Sequence, residues 1–235
     1  MPVAALILVE PSQAGNLGAI MRVAANFGVT DLELVRPRVE PADPEVVRWA
    51  RNADQRLAIR HHETLKAAAA AYRTVVGTSS GRGRNHLTVV GPRQLVAEVA
   101  RRGPDSTALV LGNETRGLRR EELDRCDLVV HVPTRPEYPV LNVAQAAAIL
   151  LGHLAIELDL APAQGPAPAL RGEVDELFAH LQTSLLSIGF LDPANPDRVL
   201  CKLRRLLGRA GVSDNEVAIL RGICRQVDWA ARQLR

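Results

Sequence analysis

Five short runs of Val, Leu, Ile and Ala punctuate the first 160 residues of this 235-residue chain. They are residues 3–9, Leu32-Glu33-Leu34-Val35, Thr74-Val75-Val76, Ala108-Leu109-Val110-Leu111 and Leu128-Val129-Val130-His131-Val132. Helical patterns lie between them, beginning with Ala19 to Phe27, which Gly28 ends. Strands that alternate with helices predict an α/β domain with a mostly parallel sheet. The stretch Leu141 to Leu158 is apolar nearly all round and predicts a deeply packed helix. His61-His62 reads as a solvated helix surface.

The pattern breaks at Ala161-Pro162-Ala163-Gln164-Gly165-Pro166-Ala167-Pro168, where three prolines and one glycine in eight residues favour neither helix nor strand. We therefore expect a first domain over residues 1–160, a linker over 161–172 and a small all-helical domain over 173–235. Helices are expected there at Glu173 to Ser187, Pro196 to Arg209 and Asp214 to Arg232.

Composition removes several classes of function. Aromatic residues make up 3% of the chain, too few for a base-stacking platform. The formal net charge of +3 is only a weak pointer to an acidic partner. Cys126, Cys201 and Cys224 form no C-x-x-C pair and read as buried thiols of a reducing compartment. No apolar stretch reaches the roughly 20 residues of a membrane span, and the start of the chain lacks a signal-peptide pattern, so a cytoplasmic protein is expected. The glycine fingerprints of dinucleotide and nucleoside triphosphate sites, the G-x-S-x-G elbow and H-E-x-x-H are all missing, and no metal is expected.

Three separated blocks carry the chemistry. They are Asn16-Leu17-Gly18-Ala19-Ile20-Met21-Arg22, Gly112-Asn113-Glu114 with Gly117-Leu118, and Leu141-Asn142-Val143. Two follow strand-like runs directly and the third opens the long apolar helix. Ligands of open α/β sheets bind beyond the carboxyl ends of the strands, so these corners can converge on one pocket. Read singly, each polar residue has a plainer role: Asn16 and Asn142 as helix caps, Arg22 and Glu114 as surface charges. Thr78-Ser79-Ser80 after a strand can equally be an ordinary turn.

Taken together, in this order and spacing, the blocks resemble the SPOUT superfamily of RNA methyltransferases, within it the ribose 2′-O group. Glu10-Pro11-Ser12-Gln13-Ala14-Gly15-Asn16, Pro136-Glu137-Tyr138, Lys202-Leu203-Arg204-Arg205-Leu206 and Ile219-Leu220-Arg221-Gly222-Ile223 are similar to tRNA-methylating members, so the likeness spans nearly the whole chain. The resemblance implies a SPOUT-type parallel sheet with a C-terminal trefoil knot and S-adenosylmethionine as methyl donor. It further implies a homodimer with the active site at its interface, and methylation of the ribose at position 32 in the tRNA anticodon loop. It assigns catalysis to Asn16, Arg22, Glu114 and Asn142, and cofactor binding to Thr78, Ser79, Ser80, Gly112, Val132, Val140 and Leu141.

The residue types suit that chemistry. A sulfonium methyl group is already activated, so alignment of the oxygen nucleophile is the main task. Arginine stays protonated in proteins, which favours Arg22 as a cation that stabilises the developing alkoxide over Arg22 as a base. Asn16, Glu114 and Asn142 would then fix the ribose and Arg22. Pro139 has no N–H to offer, so a cofactor contact beside Leu141 must use the Pro139 carbonyl or Val140.

For RNA, the candidates are Arg82 and Arg84, and a stripe of Arg198, Lys202, Arg205 and Arg209 beside an apolar stripe of Val199, Leu203, Leu206 and Ala210. A merely solvated basic face is the alternative. Two other functions remain open at this point: a ribosomal RNA 2′-O-methyltransferase, and a non-catalytic tRNA-binding protein that retains the fold.

Overall fold

A computed structural model describes residues 1–80, 89–158 and 166–233; Arg82 and Arg84 lie outside them. The first region runs β1 (Ala5–Val9), α1 (Ala14–Asn26), β2 (Asp31–Val35), α2 (Pro44–Ala50), β3 (Ala58–His62), α3 (Leu65–Ala69), β4 (Thr74–Thr78) and β5 (Val89–Val90). It continues with α4 (Pro92–Arg102), β6 (Thr107–Leu111), α5 (Arg120–Leu123), β7 (Leu128–Val130) and α6 (Val143–Leu158). All seven strands pair in parallel, in the order β3-β2-β1-β6-β4-β7-β5. The expected parallel α/β architecture is the one observed.

Each face of the sheet has its own core. Leu6, Leu8, Leu32, Leu34, Leu109 and Leu111 meet Leu17, Ile20, Met21, Leu150 and Leu154 from α1 and α6 on one face. On the other, Ile7, Val9, Val35, Val75 and Val110 meet Leu65, Tyr72, Leu118 and Leu123. A strand buried on both faces reads as a continuous apolar run, which is why the central strands stand out in the sequence.

Three expectations are corrected. His61 and His62 belong to the edge strand β3, not to a helix. That strand has little apolar surface and is fastened by charge: buried Glu33 of β2 accepts from Arg60 Nη2 at 2.6 Å and Tyr72 Oη at 2.6 Å, and lies 2.7 Å from His62 Nε2. Helix α1 starts at Ala14, five residues before the expected Ala19, so Asn16 sits inside the helix and does not cap it. Helix α6 is deeply packed on one side only. Ala147, Leu150, Leu151 and Leu154 are buried, whereas Ile149 is 43% and Ile156 68% exposed. A helix that is apolar all round needs cover on every side, and among the described residues only one side is covered.

Beyond residue 165 come α7 (Arg171–Ser187), α8 (Asp197–Ala210) and α9 (Asp214–Gln233), close to the three expected helices. They share a core of Val174, Leu177, Phe178, Leu191, Leu200, Val217 and Cys224. In α8 the inward stripe is Leu200, Leu203 and Leu207 with Val199; Leu206 and Ala210 are exposed, contrary to expectation. The helices dock on the sheet region through arginines. Buried Arg171 donates to Asp127 at 2.5 Å, and buried Arg102 donates to the carbonyls of Gly208 and Arg209 in the last turn of α8, which ends at left-handed Gly211. Of the thiols, Cys126 and Cys224 are buried and Cys201 only partly so. Burial pushes the Cys126 thiol up to about 12, which makes it unreactive. No helix among the described residues is long and apolar enough to cross a membrane.

Candidate active site

The three blocks meet at the carboxyl edge of the sheet. The Asn142 side chain caps α6 by accepting from Ala144 N at 2.8 Å, and its Nδ2 donates to Asn16 Oδ1 at 2.8 Å. One side chain thus caps α6 and bridges to the first block. Asn16 Nδ2 in turn donates to Gln13 Oε1 at 2.8 Å.

Glu114 works differently from the expectation. Its carboxylate accepts from Ser12 N, Ser12 Oγ at 2.8 Å and Gln13 N at 3.0 Å, so it closes the start of α1 from a loop 102 positions away. A carboxylate at a helix N-terminus satisfies N–H groups that lack intrahelical partners and favours the helix dipole. No hydrogen bond among the described residues joins Glu114 to Arg22 or Asn142. Glu114 therefore holds block one against block two, and Asn142 holds block three against block one.

Sequence reasoning quoted Asn113 within its block but gave it no role. Asn113 is buried; its Nδ2 donates to the Glu10 carbonyl at 2.8 Å and its Oδ1 accepts from Thr115 N at 3.0 Å. The signal was the Asn itself, a residue suited to bonding its own backbone two positions on. Gly112 admits no side chain, since a Cβ there would stand 2.3 Å from the Gly117 carbonyl carbon.

Beside this clasp lies a cavity lined by all seven residues expected to bind the cofactor, Thr78, Ser79, Ser80, Gly112, Val132, Val140 and Leu141, together with Glu114, Arg116, His131 and Leu118. Its walls combine apolar side chains with strand-end backbone groups and small hydroxyls, the mixture that suits a flat heteroaromatic ring with a polar tail. Thr78 Oγ1 donates to the Val110 carbonyl at 3.1 Å, and His131 Nδ1 lies 3.1 Å from the Ser79 carbonyl. The Pro139 carbonyl already accepts from Thr134 Oγ1 at 2.8 Å, which leaves Val140 as the readier backbone contact on that side.

Arg22, Asn16 and Asn142 do not line this cavity. Arg22 stands six residues beyond Asn16 on α1, about 9 Å along the axis. It is exposed and has no hydrogen-bond or ion-pair partner among the described residues. Of the α8 stripe, Arg198, Lys202 and Arg209 are exposed, while Arg205 is ion-paired to Asp124 against the sheet region. Phosphate contact by Arg205 would require breaking that pair.

Comparison with known proteins places the chain in a family. Residues 4–152 match the SpoU rRNA Methylase family model, and residues 172–235 match the tRNA methyltransferase TrmJ, C-terminal domain model. The tRNA (cytidine/uridine/adenosine-2′-O-)-methyltransferase TrmJ of Pseudomonas aeruginosa is 33% identical over 97% of this chain and 95% of its own length. The tRNA (cytidine/uridine-2′-O-)-methyltransferase TrmJ of Escherichia coli K12 is likewise 33% identical, over 95% of this chain and 94% of its own. The crystal structure of TrmJ from Zymomonas mobilis (Z. mobilis ZM4) superposes with a TM-score of 0.82 at 27% identity, covering 96% of this chain and 99% of that one. The chain belongs to the SpoU methylase family and, within it, to the TrmJ methyltransferases.

Proposed function

We propose that this protein transfers a methyl group from S-adenosylmethionine to the 2′-hydroxyl of the ribose at position 32 in the anticodon loop of tRNA. The carrying observation is the clasp of Asn16, Asn142 and Glu114 at the rim of a cavity lined by every residue expected to hold the methyl donor. The donor supplies an activated methyl group. The chain supplies alignment: Thr78, Ser79, Ser80, Val140 and Leu141 hold the adenosine end, and Gly112 lets the 112–118 loop close against it. Asn16 and Asn142 position the ribose. Arg22 stabilises the alkoxide that develops as the hydroxyl proton leaves, and Glu114 positions the helix that carries both Asn16 and Arg22.

In this reading the active form is a homodimer. Arg22 does not line the cavity of its own chain, and α6 leaves Ile149 and Ile156 bare. A second copy on that face would cover them and bring Arg22 to the partner's cavity. Arg198, Lys202 and Arg209, with Arg82 and Arg84, grip the tRNA backbone. The trefoil-knotted arrangement of the superfamily and a cytoplasmic location belong to the same proposal.

Incubation with labelled S-adenosylmethionine and unmodified tRNA, followed by nuclease mapping, tests it. Label on the ribose at position 32 is expected. Label on a base, or on ribosomal RNA alone, would overturn the substrate assignment. Bound cofactor without any transfer would overturn the enzymatic one.

A further inference from the structure

Next to the clasp, β1 and β2 end side by side, with Val9 paired to Val35, and each leaves the sheet through a non-glycine residue in the left-handed region. These are Glu10 at φ 50° and Arg36 at φ 46°. Such backbone is unfavourable for L-residues and persists where surrounding contacts enforce it. Here the contact is a carboxylate ringed by guanidinium groups. Glu10, whose side chain is 8% exposed, lies 2.8 Å from Arg36, 3.3 Å from Arg38, 3.0 Å from Arg116 and 3.8 Å from Arg119.

The charges do not balance. Arg116 also meets Glu122 and Arg119 also meets Glu121, but Glu10 is the sole acid in ion-pair range of Arg36 and Arg38 among the described residues. A carboxylate offers about four acceptor positions, and each arginine carries five N–H donors. Most donors on Arg36 and Arg38 therefore face solvent, and their side chains are 45% and 65% exposed. The pair is also held at a fixed distance from the catalytic corner. Arg38 N donates to the Pro11 carbonyl at 2.9 Å, and Asn113 Nδ2 to the Glu10 carbonyl at 2.8 Å. Pro11 and Glu10 immediately precede Ser12, which Glu114 holds.

We propose that Arg36 and Arg38, gathered by Glu10, each bind a phosphodiester of the RNA strand that flanks the methylated ribose. Planar, permanently charged forks match phosphate oxygens in pairs. Glu10 cancels enough repulsion to keep the cations together before RNA arrives, and it stays in place when the phosphate binds. The site rests on the tRNA substrate proposed above and adds to it a fixed anchor on the β2 side of the corner, away from the basic face of α8.

The test is binding of an unmodified tRNA transcript to the full chain and to Arg36→Ala/Arg38→Ala across a range of salt. Two lost phosphate contacts should weaken binding about tenfold at low salt and reduce the log–log salt slope by about 2. S-adenosylmethionine affinity, which reports a folded cavity, should be unchanged. If the double variant loses cofactor binding, Arg38→Ala alone is the probe, with a slope change of about 1. A variant that binds cofactor normally and keeps both tRNA affinity and slope would overturn the site. Wild-type protein that binds no tRNA would instead overturn the substrate proposal, so the two failures are distinct.

Discussion

Arg22 and Arg171 carry the same charge in opposite settings. Arg171 is buried between the sheet region and α7, donating to Asp127, with Asp175 4.0 Å away. Arg22 stands exposed on α1 with no partner among the described residues. A cation withdrawn from water needs permanent compensation, and the fold around Arg171 is built to give it. A cation left in water and uncommitted is available to a ligand. The same contrast separates Arg205, paired with Asp124, from Arg198 and Lys202 in the same helix. Residue type alone does not separate committed from uncommitted arginines in this chain; what each one already touches does.

The contrast can be broken at its strong end first. Arg171→Met removes the buried cation paired with Asp127, leaving that carboxylate only the Val75 N–H, and should cost about 3–5 kcal/mol in urea denaturation. Arg22→Ala should stay within about 0.5 kcal/mol of wild type in the same measurement. Equal losses would erase the distinction. The order reverses for turnover. Arg22→Ala should lower kcat by about 10²–10³-fold, as loss of a charge-stabilising donor does, with S-adenosylmethionine affinity intact.

Glu114→Gln comes next. It replaces a charged acceptor of three hydrogen bonds at the start of α1 and should cost about 1.5–3 kcal/mol, together with a fall in turnover through displacement of Asn16 and Arg22. A variant with normal stability and lost turnover would place Glu114 on the substrate instead.

The smallest effect concerns pH. The hydrogen bond from Arg116, with the attraction of Arg116 and Arg119, holds the Glu10 carboxyl below its usual 4.5 against the opposing effect of burial. A carboxyl with a lower value in the folded state contributes stability that is fully present above 4.5. That contribution is lost as pH falls toward the folded value. Thermal midpoints should therefore drop on acidification below about pH 4.5, and Glu10→Gln should flatten the drop while lowering the midpoint at neutral pH.

What was legible in the sequence follows from the same physics. Strands β1, β2, β4, β6 and β7 were visible because burial on both faces, or close to it, demands continuous apolar runs. β3 was hidden because Arg60, His61 and His62 look like surface; Arg60 and His62 meet buried Glu33 across the sheet, and His61 meets Glu40. Seven residues that line the cavity were named in advance through the resemblance that the motif blocks carry. The clasp was not, since Glu114 bonds Ser12 across 102 positions and nothing local announces it. The bare face of α6 has a related reason: apolar periodicity says that a helix favours cover and is silent on what covers it.

The central claim is that the methyl acceptor is one ribose oxygen of tRNA. Two otherwise identical tRNA transcripts, one carrying a 2′-deoxy residue at position 32, put it most directly to the test with labelled S-adenosylmethionine. Incorporation into the all-ribose transcript and none into the deoxy one is expected. Equal incorporation into both would contradict it.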